Sequence, residues 1–357
     1  MSEERQVERE IRKAKSALSK LRKKVWRRRQ PLFRIPVVFS LGSGGGRILS
    51  NIDTDLYGAW KVAVNNSERD LALLGDAVDL KVCCGDGSGS GMDMEKGLSD
   101  FLQISDFLVE VVDVGCKDRR FEEPDVIPII ATLGHGFGGG SAPECAKILQ
   151  EEFPHSIIMA WVITPFYFEG KHVGDRAKES MKNFKDKGIP IIPISNTVAA
   201  KRLSLEASNL PLMKVFNAIN LRISDIMNSL FIALSAEEGI VESLDRNDLR
   251  RIWQPECLTI GSVKYDSVRA ISFSSLADVE KSLFIEFGAQ MSKPKDVPTT
   301  YIIDGNGEVL LKQLTDINTI LEKEYGADMS TLKPLILQRK QDKTTFMVIR
   351  GGLALGV

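Results

Sequence analysis

Histidine and cysteine are scarce in this sequence, at three and five residues among 357. The cysteines (Cys83, Cys84, Cys116, Cys145 and Cys257) form no CxxC pair. That argues against a structural zinc site and a disulfide framework, and fits a reducing, cytoplasmic setting. No apolar run reaches the ~18–20 residues of a membrane-spanning helix. The charged N-terminus lacks the apolar core of a signal peptide. Net charge is nearly absent: 47 Lys and Arg against 48 Asp and Glu leave −1, so no nucleic acid is expected as a partner. No GxxxxGK[ST] occurs, which removes the P-loop class. Internal repeats and low-complexity linkers are missing as well.

What is present suits two packed cores: 357 residues with 43% hydrophobic content. Residues 1–30 form a compositional unit of their own. Ile11, Ala14, Leu18, Leu21 and Val25 recur at spacings of three and four, which predicts one helix with a narrow apolar stripe. Lys20, Arg22, Lys23, Lys24, Arg27, Arg28 and Arg29 make its second half basic, and Pro31 ends it. Two readings stand: a solvated helix docked on the next domain, or a contact with an anionic membrane surface or an adaptor. In the second, each basic residue would add ~1 kcal/mol at lipid headgroups.

From residue 31 to 210 short apolar runs alternate with helical stretches. Candidate strands are Ile35–Leu41, Lys61–Val64, Leu80–Cys84, Val126–Leu133, Ser156–Thr164 and Ile189–Ile194. Helical stretches between them include Pro143–Glu152 and Gly174–Lys187. This alternation predicts an α/β fold, a Rossmann-like and mostly parallel sheet with helices on both faces. Residues 211–240 hold a long helix, with Leu212, Phe216, Ile219, Ile223, Ile226, Met227, Leu230 and Leu234 at helical spacing and Gly239 as its stop. Residues 241–357 read as a smaller α+β domain, with strands at Leu258–Val263, Ser282–Phe287, Thr299–Ile303 and Thr344–Ile349 and a helix over Leu311–Tyr325. The sequence stops at Val357, just after the last of these strands, so no disordered tail is expected.

Three glycine-rich segments each follow an apolar run. They are Gly42-Ser-Gly44-Gly45-Gly46, Gly87-Ser-Gly89-Ser-Gly91, and Gly134-His-Gly136-Phe137-Gly138-Gly139-Gly140 followed by Ser-Ala-Pro143. Glycine lets backbone N–H groups turn toward an anion with no side chain in the way, and a helix starting beside such a loop adds its positive end. One such cluster is as often a plain turn. Three at strand C-termini in one half of a chain point to a phosphate site, since ligands of open α/β sheets bind at that edge. Gly42-x-Gly44 also opens like a dinucleotide fingerprint, which keeps an NAD(P) oxidoreductase as an alternative; the third fingerprint glycine would fall at Arg47.

The third segment resembles the FtsZ/tubulin signature GGGTGTGAAP. Five further segments follow in that family's order: LGSGGG at 41–46, GSGSGMDMEKG at 87–97, TPFYFEG at 164–170, VFNAIN at 215–220 and SLDRNDL at 243–249. The resemblance covers roughly residues 35–350 and implies a divergent prokaryotic FtsZ-like protein. It further implies GTP or GDP as ligand with Mg2+, head-to-tail self-assembly, and hydrolysis completed at the subunit interface, in cell division or membrane and cell-shape remodelling. A nucleotide-binding scaffold with little hydrolysis is the alternative.

Carried over by position, Gly44, Gly45 and Gly46 would approach the diphosphate. Gly89, Gly91, Gly136, Gly138 and Gly139 would offer amides to phosphate oxygens. Glu169 would contact the ribose, Asn196 the nucleoside, Phe216 the face of the guanine and Asn220 its edge. Asp245 and Asp248 would reach the terminal phosphate held by the neighbouring subunit and orient the attacking water and a cation. The residues alone allow plainer readings: Phe216 as core, Glu169 as a turn residue, and Asp245 as the N-cap of a helix with Asp248 in its first turn. The chain departs from the family pattern at His135, Phe137, Arg47, Ile48, Ser67, Leu221, Val173 and Ser243. Leu221 stands where a base-reading aspartate is usual, and Ser67 where many relatives place an aspartate near the cation.

Overall fold

A computed structural model describes residues 3–353 except 22–30, 56, 206–208, 237–240, 243, 254–255, 273, 283–295 and 331. The basic run 22–29, Gly239, Ser243 and most of the expected strand Ser282–Phe287 lie outside the described residues. In chain order the elements are α1 (Glu3–Leu21), β1 (Val37–Leu41), α2 (Gly42–Leu49), β2 (Trp60–Asn65), α3 (Glu68–Ala72), β3 (Leu80–Cys83), α4 (Met94–Leu102), α5 (Ser105–Arg119), β4 (Val126–Thr132), α6 (Gly136–Glu152), β5 (Ile157–Thr164) and α7 (Lys171–Asp186). There follow β6 (Ile191–Ser195), α8 (Asn196–Arg202), α9 (Leu212–Leu234), β7 (Val241–Glu242), α10 (Arg246–Ile252), β8 (Cys257–Tyr265), α11 (Ser275–Lys281), β9 (Thr299–Gly305), α12 (Leu311–Tyr325), β10 (Leu335–Gln338) and β11 (Thr344–Leu353).

The described strands form one sheet in the order β3-β2-β1-β4-β5-β6-β8-β11-β9-β10-β7. The first six are parallel. Their side chains are buried on both faces, and β1, β4 and β5 accordingly read as near-continuous apolar runs. The order 3-2-1-4-5-6 reverses direction between β1 and β4, which opens a crevice at their C-terminal ends. Beyond β6 the sheet turns mixed: β8 pairs with β6 through a single register, Ile191 with Cys257, and β11 runs antiparallel to both β8 and β9.

Helices cover both faces. On one, α2, α8, α9 and α10 bury Ile48, Ala199, Ile223, Met227, Leu230 and Leu249. On the other, α5, α6 and α7 bury Val111, Val112, Ala146, Leu149 and Phe184. A third core joins α11 and α12 to β9 and β11 around Tyr301, Ile317, Leu321 and Phe346. The 23-residue α9 spans about 35 Å at 1.5 Å per residue. The helix α10 is tied back to the parallel sheet by Trp253, whose Nε1 donates to the carbonyl of Ile158 at 3.2 Å.

The apolar stripe of α1 is docked as its spacing predicts. Ala14 and Leu18 are buried against the second core, with Ile11, Ala17 and Leu21 packed beside them. Gln6 donates to the Asp86 carbonyl at 2.9 Å and Lys15 pairs with Glu110 at 2.9 Å. Among the described residues no helix is long and apolar enough to cross a membrane.

Candidate functional site

A cavity of about 520 Å³ opens at the crevice between β1 and β4, within the range typical of ligand sites. Its floor is built where β1 runs straight into α2 and where β4 reaches α6 through Leu133, Gly134 and His135. β1 passes into α2 at Gly42, whose φ of +81° favours glycine. A Cβ there would lie 3.3 Å from the amide nitrogen of Gly138, so the first and third glycine segments meet backbone to backbone. The helix α6 begins at Gly136, seven residues before Pro143, so most of the third segment is the helix's first two turns rather than a loop ahead of it. Neither α2 nor α6 has a side-chain hydrogen bond capping its N-terminus. Two sets of helix N-terminal amides thus open on one cavity lined by Gly42, Ser43, Gly44, Gly136 and Gly138, an arrangement that suits phosphate oxygens.

The expected glycines divide into two groups. Gly42, Gly44, Gly89, Gly91, Gly136 and Gly138 line the cavity, and so do Phe137, Glu169, Asn196, Phe216 and Asn220. Gly45, Gly46, Gly87, Gly134, Gly139 and Gly140 do not. Several of these are needed instead for close packing. A Cβ on Gly45 would lie 2.5 Å from the Ile130 carbonyl oxygen, and one on Gly140 would lie 2.1 Å from the Met94 carbonyl oxygen. Their missing side chains let α2 lie flush on β4 and α6 on α4. Phe137 is only 4% exposed and belongs to the core under α6, which explains how a bulky residue is tolerated among these glycines.

At the other end of the cavity, Phe216 stands partly buried on the first core and also lines the cavity. Phe166 meets it edge-on with centroids 5.1 Å apart. Glu169 accepts the Phe166 amide at 2.7 Å through one oxygen and faces His135 Nε2 at 3.2 Å through the other. Burial pushes the Glu169 carboxyl up, but the His135 hydrogen bond, the Phe166 amide and the imidazole's charge outweigh it and hold the group below its usual range. The histidine that departs from the signature thus occupies the rim of the cavity beside the expected ribose contact.

Other lining residues escaped the sequence reading. Ser43 hydrogen-bonds Asp70 across the cavity wall, and Asn65 donates to the Ser43 hydroxyl at 3.2 Å. Ser67 caps α3 by accepting the Asp70 amide at 3.3 Å. The cavity wall does hold a carboxylate, that of Asp70, three residues after the position where the resemblance looked for one. The serine-x-x-aspartate spacing of a helix start was the available signal. Arg47 also lines the cavity and carries a permanent positive charge. No cluster of three or more His, Cys, Asp or Glu that could hold a metal occurs among the described residues.

Asp245 and Asp248 lie off this cavity. They form a capping box at the start of α10: the Asp245 carboxylate accepts the Asp248 amide at 2.8 Å, and Asp248 accepts the Asp245 amide at 3.2 Å. Asp245 is exposed, whereas Asp248 is buried and paired with Lys333.

Residues 113–202 match the family model described as Tubulin/FtsZ family, GTPase domain. The "Cell division protein FtsZ 2" of Haloferax volcanii is 27% identical over 197 residues, 55% of this chain and 46% of that protein. The matched stretch thus spans about half the length of such curated relatives. Among solved structures, the GTPγS-bound protofilament of CetZ2 from Haloferax volcanii superposes with a TM-score of 0.74 at 19% identity, covering 90% of this chain and 93% of that one. The empty FtsZ dimer of M. jannaschii gives 0.68 at 20% identity, covering 95% and 91%. Residues 113–202 thus resemble the Tubulin/FtsZ GTPase domain, and over nine-tenths of its length the chain has the fold of the FtsZ and CetZ structures.

Proposed function

We propose that the chain binds GTP or GDP in the cavity between β1 and β4 and assembles head-to-tail, with hydrolysis completed by acids of the adjoining subunit. The observation that carries this reading is the meeting of two uncapped helix N-termini at Gly42 and Gly138, with Phe216, Asn196 and Asn220 lining the same cavity. Amides of α2 and α6 would hold the phosphates, Phe216 would lie against the base and Glu169 would accept from the ribose. Asp70 and Ser43 fit a Mg2+ ion, which usually takes one or two carboxylates and otherwise phosphate and water oxygens. When bound, that ion would neutralise charge on the phosphates. Asp245 would reach from one subunit toward the terminal phosphate on the next and accept a hydrogen bond from the attacking water. The water oxygen bonds to phosphorus as the bridging P–O bond breaks, giving diphosphate nucleotide and inorganic phosphate. Positioning and electrostatics carry such transfer.

The division into residues 31–210, the central helix and residues 241–357 would then separate nucleotide binding from delivery of the acids. With α1 docked on the second core, the basic run within residues 1–30 would contact an anionic surface or adaptor, in the cytoplasm. A second reading, a nucleotide-dependent scaffold with slow hydrolysis, is favoured by the pairing of Asp248 with Lys333. Light scattering and phosphate release with GTP, on wild type and Asp245→Ala, test the proposal. Assembly with turnover lost in the variant is expected; equal turnover in both removes the assignment, and no binding of GTP removes the function.

A further inference from the structure

The two acids at the start of α10 are not equivalent. Asp248 has only 5% of its side chain exposed, and every oxygen faces a protein donor. Lys333 Nζ lies 2.8 Å from Oδ1 and 2.9 Å from Oδ2, the Asp245 amide donates to Oδ2 at 3.2 Å, and Arg251 Nη1 stands 4.0 Å from Oδ1. With the ammonium on both oxygens, an amide on one of them and almost no surface exposed, this carboxylate is not free to take up an attacking water. Burial pushes its acid form up, but the Lys333 hydrogen bond, the Asp245 amide and the lysine charge hold it below the usual aspartate range.

Lys333 is built differently. Its side chain is 39% exposed, while its carbonyl accepts the Thr300 hydroxyl, which fixes its main chain beside β9. The ammonium is therefore a point charge on a flexible stem with a fixed root, able to change partners without moving the sheet. A triphosphate presented by the next subunit would carry more negative charge than one carboxylate, and would draw the ammonium away.

We propose that Lys333 is a positioning residue that holds Asp248 closed in the free subunit and hands it over when a neighbour's polyphosphate arrives. The inference rests on the head-to-tail reading above. It makes turnover depend on contact twice: the acids must arrive, and one of them must be unlocked.

The test compares wild type with Lys333→Met and Lys333→Gln, measuring GTP binding, pelleting, and phosphate release per pelleted subunit across pH. Lys333→Met removes the ammonium and should raise turnover on the order of tenfold, a modest coupling between two sites. Lys333→Gln still donates to the carboxylate and should lie between. The acidic limb of the pH profile should move to higher pH in Lys333→Met, because Asp248 loses its cation while Asp245 and Arg251 stay in place. Should Lys333→Met fail to fold, Lys333→Gln carries the same prediction at smaller size. Turnover unchanged or reduced in soluble variants, with the limb unmoved, makes Lys333 merely structural and overturns the proposal. Wild type and variants that bind GTP and pellet but all stay inert overturn it too, leaving the assembly reading standing. Wild type that binds no GTP overturns both.

Discussion

Gly140→Ala should damage this protein, although alanine is the better helix former. The added Cβ would lie 2.1 Å from the Met94 carbonyl oxygen, 2.9 Å from its carbon and 3.1 Å from its Cα. These are backbone atoms and cannot rotate away, so α4 must retreat from α6 by about an ångström. Overpacking of that kind costs about 1–3 kcal/mol. Gly174→Ala supplies the comparison: it also lies in a helix, and its Cβ would meet nothing within 4 Å. Both variants gain the same helix propensity, ~1 kcal/mol, so the difference between them isolates the overpacking term. At ~2.1 cal/mol/K of unfolding entropy per residue, a chain of this length should show a Tm gap of roughly 1–4 °C. The Gly140 variant should also bind a fluorescent GTP analogue more weakly, because α4 follows directly on Met92 and Gly91 at the cavity wall. Thermal melts by circular dichroism and a nucleotide titration read both effects. Two variants with equal Tm and equal affinity would refute the claim that α6 rests on α4 through Gly140.

Replacing His135 with alanine should lessen the acid sensitivity that Glu169 confers. A carboxylate whose folded pKa is depressed adds stability that is present above its unfolded pKa and disappears as pH falls through the folded one. The Tm gap between wild type and His135→Ala should therefore close as pH falls below the ordinary glutamate range; a gap that does not change with pH would contradict the pairing. It should be small, since such half-exposed pairs contribute under ~1 kcal/mol. The cysteines should react poorly in the native state. Burial pushes the Cys83 thiol up to about 11 and those of Cys116 and Cys257 up to about 12. A thiol-specific reagent at pH 8 should modify the four buried cysteines only after unfolding and half-buried Cys83 slowly, and a rapid native phase would refute this.

Much of this architecture is legible along the chain because its strands are short apolar runs closed by glycine or polar residues. The helix Leu311–Tyr325 and the strand beginning at Thr344 fall where their periodicities place them. The helix α5 is harder to see, since Val109, Val111, Val112 and Val114 crowd it with β-branched side chains and blur its apolar stripe. Periodicity also overstates the core at the start of α9, where Leu212 and Met213 are 49% and 52% exposed. The candidate site was legible where glycines mark the chain and hidden where partners are distant in sequence. Ser43 meets Asp70 over 27 residues and Asp248 meets Lys333 over 85. A glycine's presence, moreover, does not say whether a phosphate or a neighbouring backbone needs the space; Gly44 and Gly45 sit side by side, yet only the first lines the cavity.

Base selectivity follows from the same cavity. Position 221, where the resemblance looks for an aspartate, holds a leucine that is 57% exposed and lies off the cavity wall. In the proposed nucleotide site the side chains that would read a base edge are the amides of Asn196 and Asn220, both of which line the cavity. Each amide offers donors and an acceptor and can rotate to suit. A carboxylate accepts only, which suits the adjacent ring N–H and amino donors of guanine and rejects the ring-nitrogen acceptor of adenine. Sites that hydrogen-bond one partner and strand a group against the other discriminate by ~10⁴–10⁵. An amide strands little against either purine, so GTP should outcompete ATP by only about 10–100-fold, and Asn220→Asp should widen that preference by on the order of tenfold, one well-placed hydrogen bond to a charged group. Competition of GTP and ATP against a fluorescent analogue measures both ratios. A wild-type preference near 10⁴ would mean that some other group reads the base, and the assignment of Asn220 would fall with it.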